Sequence, residues 1–276
     1  MIGQKYVQQQ IKSEIENNTL ARFIILVGDK GSGRKTLAKE IARLTDADFV
    51  IVDKGVDAIR EVIEQCYKLS ENVLYVLDGD SMSPSAKSSL LKVTEEPPNK
   101  ARFVLTVTDL EQTLSTLTSR ARVLRMDIYT GEDIAYFAGV EDTRYSDYCT
   151  NKYEVDLLKH YGVDEFSSFI DLVIDNIAEV SGANVFKMED KIAFKDEEDK
   201  YDMKIFLQAF RLACMSKLQG SQEYWEKKKY IQWISVTTDI LNKLKIATVA
   251  RQPLFDKWIF DIREVAQDAR NYQEKP

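Results

Sequence analysis

Along the first 127 residues, short apolar runs alternate with segments whose apolar residues recur every three or four positions. Phe23–Val27, Phe49–Val52, Val73–Leu77 and Phe103–Val107 are continuous runs, and Val123–Leu124 belongs to a fifth. Unbroken runs of this length predict strands covered on both faces, because a strand with one face in water alternates instead. Leu37, Ala38, Ile41 and Ala42 have helical spacing, as do Ile59, Val62, Ile63, Cys66 and Tyr67. Ser83-Pro84 predicts a helix start, since serine caps and proline suits the first helical position. Pro97 and Pro98 predict the end of that helix, because proline has no N–H and clashes with the preceding turn. Strand–helix units repeated in this way predict a parallel five-stranded sheet with helices on both faces.

After Asp127 helical patterns dominate. Phe166, Phe169, Ile170, Val173 and Ile177 form one apolar stripe. Met203, Phe206, Leu207, Phe210 and Cys214 form a second, and Phe255, Trp258, Ile259 and Ile262 a third. Between the first two, Glu189–Lys200 is dense in acids and lysines and predicts a solvated loop or a short irregular hairpin. A chain of 276 residues is too long for one small core and suits two or three packed units. The predicted division is an α/β unit over 1–127, a small helical unit over 128–180 and a C-terminal helical unit over 181–276.

Composition narrows the picture. No run approaches the roughly 18 to 20 apolar residues that cross a bilayer. The opening MIGQKYVQQQIK lacks the apolar core of a signal peptide. The expectation is a cytoplasmic chain with no membrane partner. A net charge of −7 excludes a globally basic nucleic-acid coat. Contact with DNA would come from a local patch, with Lys54, Lys87 and Lys92 as candidates, or from helix N-termini facing phosphates. Cys66, Cys149 and Cys214 lie far apart with no C-x-x-C pair, which predicts buried thiols rather than zinc ligands or disulfides. His160, the one histidine, reads as a surface or helix-end residue, so no metal site is predicted.

Chemistry enters at the turn between the first strand and the next helix. Gly28-Asp-Lys-Gly31-Ser32-Gly33-Arg34-Lys35-Thr36 sits where a phosphate-binding loop sits, with glycines that let backbone N–H groups turn inward and a helix dipole behind them. The strict motif is G-x-x-x-x-G-K-[ST]. Here Arg34 holds the lysine position, Lys35 the Mg²⁺-ligand position, and the hydroxyl comes one residue late at Thr36. A forked guanidinium is a poor substitute for a compact ammonium, and Lys35 cannot coordinate a cation. Two readings stand: a loop that binds ATP through its backbone, with Mg²⁺ only if ATP binds, and a loop that holds no nucleotide. Further on, Asp78-Gly79-Asp80 ends a buried strand with no glutamate after Asp78 to activate a water.

Residues Leu90–Asp109, LLKVTEEPPNKARFVLTVTD, resemble the core of clamp-loader AAA+ subunits. So do Gly55-Val-Asp-Ala-Ile-Arg60, the opening Ile2-Gly3-Gln4 with Leu20-Ala21, and Pro253–Asp261 near the end. These pieces keep the family's order over most of the chain. The resemblance implies an AAA+ module over 1–127, a helical lid over 128–180 and an all-α collar that joins subunits over 181–276. It places Gly28, Gly31, Ser32, Gly33, Arg34, Lys35, Thr36, Asp78 and Thr108 around a nucleotide, Thr108 standing where the family carries a polar sensor. Thr118-Ser119-Arg120-Ala121 resembles the family's Ser-Arg-Cys motif, whose arginine reaches into the neighbouring subunit's ATP site. Implied partners are other clamp-loader AAA+ subunits in a hetero-oligomeric ring, a sliding clamp and primer–template DNA. The zinc module of many bacterial subunits is missing from between the two nucleotide motifs. An altered loop beside a kept arginine matches the delta-prime type, a hydrolysis-deficient stator that completes its neighbour's site in DNA replication. The alternatives are an ATP-hydrolysing motor subunit with an atypical loop, and an AAA+ relative linked to repair or helicase work.

Overall fold

The computed structural model describes residues 1–53, 55–139, 143–177, 188, 190–194, 197, 199–244 and 249–273. It divides into two compact units, Met1–Asp133 with Asn151–Tyr153, and Ile134–Thr150 with Glu154–Pro276. The predicted boundary between residues 180 and 181 lies outside the described residues.

In the first unit the order is α1 (Lys5–Glu16), β1 (Phe23–Val27), α2 (Arg34–Leu44), β2 (Asp48–Ile51), α3 (Val56–Cys66) and β3 (Val73–Asp78). Then come α4 (Pro84–Ser89), α5 (Leu91–Glu95), β4 (Ala101–Val107), α6 (Ser115–Thr118) and β5 (Arg122–Arg125). The five strands form one parallel sheet in the order β2-β3-β4-β1-β5. Successive side chains of a strand point to opposite faces, and here both faces are covered. Phe23, Ile25 and Val27 pack with Tyr75, Phe103, Leu105 and Ile59 on one face. Ile24 and Leu26 pack with Leu74, Val104, Leu37 and Ile41 on the other. That is why β1, β3 and β4 read as unbroken apolar runs. The edge strand β2 is different, with Ile51 61% exposed.

The predicted helix between Ser83 and Pro97 is two helices. It starts as expected, with the Ser83 hydroxyl accepting from Ala86 N at 3.2 Å and Pro84 in the first turn. It breaks at Leu90, between α4 and α5. The Ser88 hydroxyl donates to the Pro84 carbonyl at 2.9 Å and the Ser89 hydroxyl to the Ser85 carbonyl at 3.1 Å. Such back-bonding competes with the helix ladder and bends it.

The later elements are α7 (Gly131–Ala138), α8 (Lys152–Tyr161), α9 (Val163–Asn176), β6 (Ile192–Ala193), β7 (Tyr201–Asp202), α10 (Met203–Gly220), α11 (Tyr224–Lys243) and α12 (Arg251–Gln273). All three predicted stripes are buried. Trp258 is the hub of the second unit's core. Its ring stacks on Phe255 and meets Phe206 and Phe210 edge-on, with centroids 5.3, 5.5 and 5.0 Å away. Its indole N–H donates to Thr237 Oγ1 at 3.0 Å, and that hydroxyl donates to the Trp233 carbonyl at 2.7 Å.

The polar stretch departs from expectation. β6 and β7 pair in parallel, not as a hairpin, and Ile192 is fully buried rather than solvated. Glu189, Lys195, Asp196 and Glu198 lie outside the described residues. The three cysteines are free and buried, and burial pushes the Cys214 thiol up to about 12. His160 is exposed in the last turn of α8. No helix among the described residues is long and apolar enough to cross a membrane.

Candidate functional site

The glycine loop joins the end of β1 to α2, and its backbone has the geometry the glycines were read to allow. Gly31 and Gly33 adopt φ of +88° and +90°, a region that costs a side chain dearly. There is also no room for one. A Cβ on Gly31 would stand 2.5 Å from Tyr153 N and 2.6 Å from Asn151 Oδ1, residues that cluster with the first unit. A Cβ on Gly33 would stand 2.6 Å from Met1 Cε and 2.8 Å from the Tyr129 hydroxyl.

The loop is tied down by its own neighbours. The Ser32 carbonyl accepts from Tyr129 OH at 2.9 Å and from Gln4 Nε2 at 3.2 Å. Gln4 is buried in a left-handed conformation, φ 55°. Its Nε2 also donates to the Asp127 carbonyl at 2.7 Å, and Asp127 N donates back to Gln4 Oε1. The opening Ile2-Gly3-Gln4 segment is thereby stitched both to the loop and to the end of the sheet. Lys30 places its ammonium over the Tyr153 ring, 3.8 Å from the centroid.

At the start of α2 the charges are matched internally. Arg34 Nη1 lies 3.2 Å from Asp80 Oδ2. The other oxygen of that carboxylate, Oδ1, accepts from Thr108 N at 2.8 Å and from the Thr108 hydroxyl at 3.1 Å. One aspartate thus joins the lysine position of the loop to the sensor position after β4. The Arg34 and Asp80 side chains are 13% and 31% exposed, so salt screens this pair less than an open surface pair. Hydrogen bonds to charged groups contribute about 1.5–3 kcal/mol each. Lys35 and Thr36 are exposed on the first turn of α2, and Asp78 ends β3 half-buried, in register with Thr106. Among the described residues no group of three or more His, Cys, Asp or Glu side chains could hold a metal ion.

Arg120 lies elsewhere. Leu117, fully buried, and Ala121 pack into the core below the sheet, and Arg120 between them points outward. Its Nη1 donates to the Thr116 carbonyl at 2.8 Å, and its Nη2 lies 3.4 Å from Glu95 Oε1 at the end of α5. Arg122 pairs in register with Ile24 near the start of β1, whereas the loop begins after Val27. At about 3.3 Å per strand residue, the start of β5 and the loop are separated by roughly 13 Å along the sheet, and Arg120 lies in the turn that precedes β5.

Of the three candidate lysines, Lys87 is buried and donates its ammonium to the Gln112 carbonyl at 3.0 Å. It is neither a solvated lysine nor a free phosphate ligand, contrary to expectation. Lys92 is exposed. Lys54 lies outside the described residues.

The family model described as DNA polymerase III, delta subunit, matches residues 45–129, which hold α3, the α4–α5 pair, β4, Arg120 and β5. The DNA polymerase III subunit delta' of Escherichia coli is 41% identical over 76 residues, covering 25% of this chain and 22% of that protein. Over these stretches the chain is similar to subunits of the DNA polymerase III clamp loader. The DNA polymerase III subunit gamma of Buchnera aphidicola from Schizaphis graminum is 28% identical to this chain over 169 residues, covering 50% of it and 47% of that protein. The chain therefore spans about half the length of that gamma subunit. In fold it resembles a DNA polymerase III gamma subunit-related protein of Thermotoga maritima, with a TM-score of 0.50, 16% identity, and coverage of 92% of this chain and 99% of that one.

Sequence reasoning did not find the role of Asp80, nor Tyr129 as a partner of the loop. The signal that was available is the pair of opposite charges, Arg34 after the glycine loop and Asp80 after the strand end.

Proposed function

We propose that this chain is a delta-prime-like clamp-loader subunit acting in DNA replication, which hydrolyses no ATP itself and lends Arg120 to the ATP site of a neighbouring subunit. The observation that carries the reading is the separation of Arg120 from the chain's own glycine loop, at opposite ends of β1. A guanidinium there serves a site on another molecule. The loop supports the same reading, because Arg34 is engaged by Asp80 and the Mg²⁺-ligand position holds an ammonium. These side chains do not suit a Mg²⁺-bound triphosphate. We extend the proposal to the division into module, lid (128–180) and collar (181–276), and to other AAA+ subunits, a sliding clamp and primer–template DNA as partners.

The test is a tagged pull-down from the native host, with mass spectrometry of the eluate and ATPase assays of both the eluate and the isolated chain. An intact AAA+ subunit should co-purify and carry all the activity. A lone homo-oligomer that turns over ATP would make the chain a motor subunit instead.

The lysines give a separate expectation for DNA. In the assembled complex, Lys92→Ala should lower the salt slope of primer–template binding by about 1. Lys87→Ala should leave the slope where it was, because that ammonium is already bound to a carbonyl. A slope change at Lys87 would mean that α4 rearranges on DNA.

A further inference from the structure

We infer that Asp80 is the resident anion of the glycine loop: its carboxylate takes the place of a terminal phosphate and keeps nucleoside triphosphates out. This rests on the reading of residues 28–36 as a phosphate-type loop, and it adds what closes that loop.

The position after the second glycine of such a loop supplies the cation that reaches the β- and γ-phosphates. Here that cation is Arg34, and its Nη1 is 3.2 Å from Asp80 Oδ2. The resemblance puts Thr108 at the second group facing the terminal phosphate. Both of its donors, N and Oγ1, are given to Asp80 Oδ1 at 2.8 and 3.1 Å. A single carboxylate thus occupies both groups that would hold a γ-phosphate, using both its oxygens. A planar carboxylate and a phosphoryl group offer the same kind of acceptor at the same spacing to a guanidinium.

Two consequences separate this arrangement from an ordinary ion pair. First, an arriving triphosphate must displace a bound anion and also face its charge at close range, so exclusion is electrostatic as well as steric. Second, exclusion should grade with the ligand. A diphosphate competes with Asp80 for Arg34 alone, whereas a triphosphate competes for Thr108 as well, so the diphosphate should be affected less. The rest of the loop is compatible with this, because Gly31 and Gly33 keep the left-handed backbone of a phosphate loop.

The experiment is a titration of the 276-residue chain, and of its Asp80→Asn and Asp80→Ala variants, with fluorescent mant-ATP and mant-ADP in the absence of Mg²⁺. Asn keeps the shape and removes the charge, and Ala removes both. Circular dichroism melts check that the variants fold, and the Asn variant covers the case in which Ala does not. Both variants should bind mant-ATP at least ten times more tightly than the parent, with a smaller gain for mant-ADP. Unchanged or weaker mant-ATP binding in a folded Asp80→Asn chain would overturn the inference, as would an equal gain for both nucleotides. ATP hydrolysis by the unaltered chain would instead sink the stator reading, and the binding ratios are read independently of it.

Discussion

Replacing Arg120 by alanine in the assembled complex is expected to lower ATP turnover by roughly 10³-fold, the lower end of what an arginine supplied in trans contributes. The size follows from the chemistry. Charge builds on the transferred phosphoryl group only in the transition state, and a positioned guanidinium stabilises it there without tightening substrate binding to match. The local structure suits this task. Leu117 and Ala121 anchor the segment in the core, while the Arg120 side chain makes one good bond, to the Thr116 carbonyl, and a long contact to the exposed Glu95. Little must be given up for it to reach a neighbour. Arg120→Lys should recover little, because an ammonium lacks the planar fork. The measurement is steady-state ATPase of the complex, with size-exclusion chromatography to show that the variant still assembles. Full turnover by an assembled Arg120→Ala complex would reduce Arg120 to a surface arginine resting on Glu95.

The second large effect concerns the helical unit. Trp258→Ala is expected to destabilise it by about 3–5 kcal/mol, the usual cost of truncating a buried aromatic. The loss has two sources. A cavity opens among Phe206, Phe210 and Phe255. Thr237 also loses the indole N–H that its hydroxyl accepts. Urea unfolding followed by tryptophan fluorescence reads this unit alone, since Trp225, Trp233 and Trp258 all belong to it. The variant keeps two of the three reporters. A loss below about 1 kcal/mol would mean that the surrounding helices close over the gap, as the most yielding core sites do.

How much of this was legible depended on which force wrote each feature. β1, β3 and β4 were plain because both faces are buried, which leaves an apolar residue at every step. The Ser83-Pro84 start was plain because capping is local. The break at Leu90 was hidden because Ser88 and Ser89 look innocuous until their hydroxyls are seen bonding backward. α11 showed no clear apolar stripe because Lys227, Lys228 and Lys229 crowd its first turns, while its buried residues, Tyr230, Trp233, Thr237 and Ile240, include a threonine. The glycine loop could be found by motif. The bond between Arg34 and Asp80 joins residues 46 apart in sequence, and only the fold brings them together. Lys87 shows the same limit: nothing in its neighbours says that its ammonium will be spent on a carbonyl 25 residues away.

The strand order has a consequence for how the chain is made. β1 leaves the ribosome well before its neighbours in the sheet, β4 and β5, which begin at Ala101 and Arg122. For some 75 residues of synthesis its five apolar side chains have no strand to lie beside. Non-local parallel pairing is slow to close and exposed to aggregation while it waits. Nascent chains stopped before Ala101 should therefore be the sticky species in the life of this protein, and release from chaperones should become efficient only once residues 122–125 have emerged.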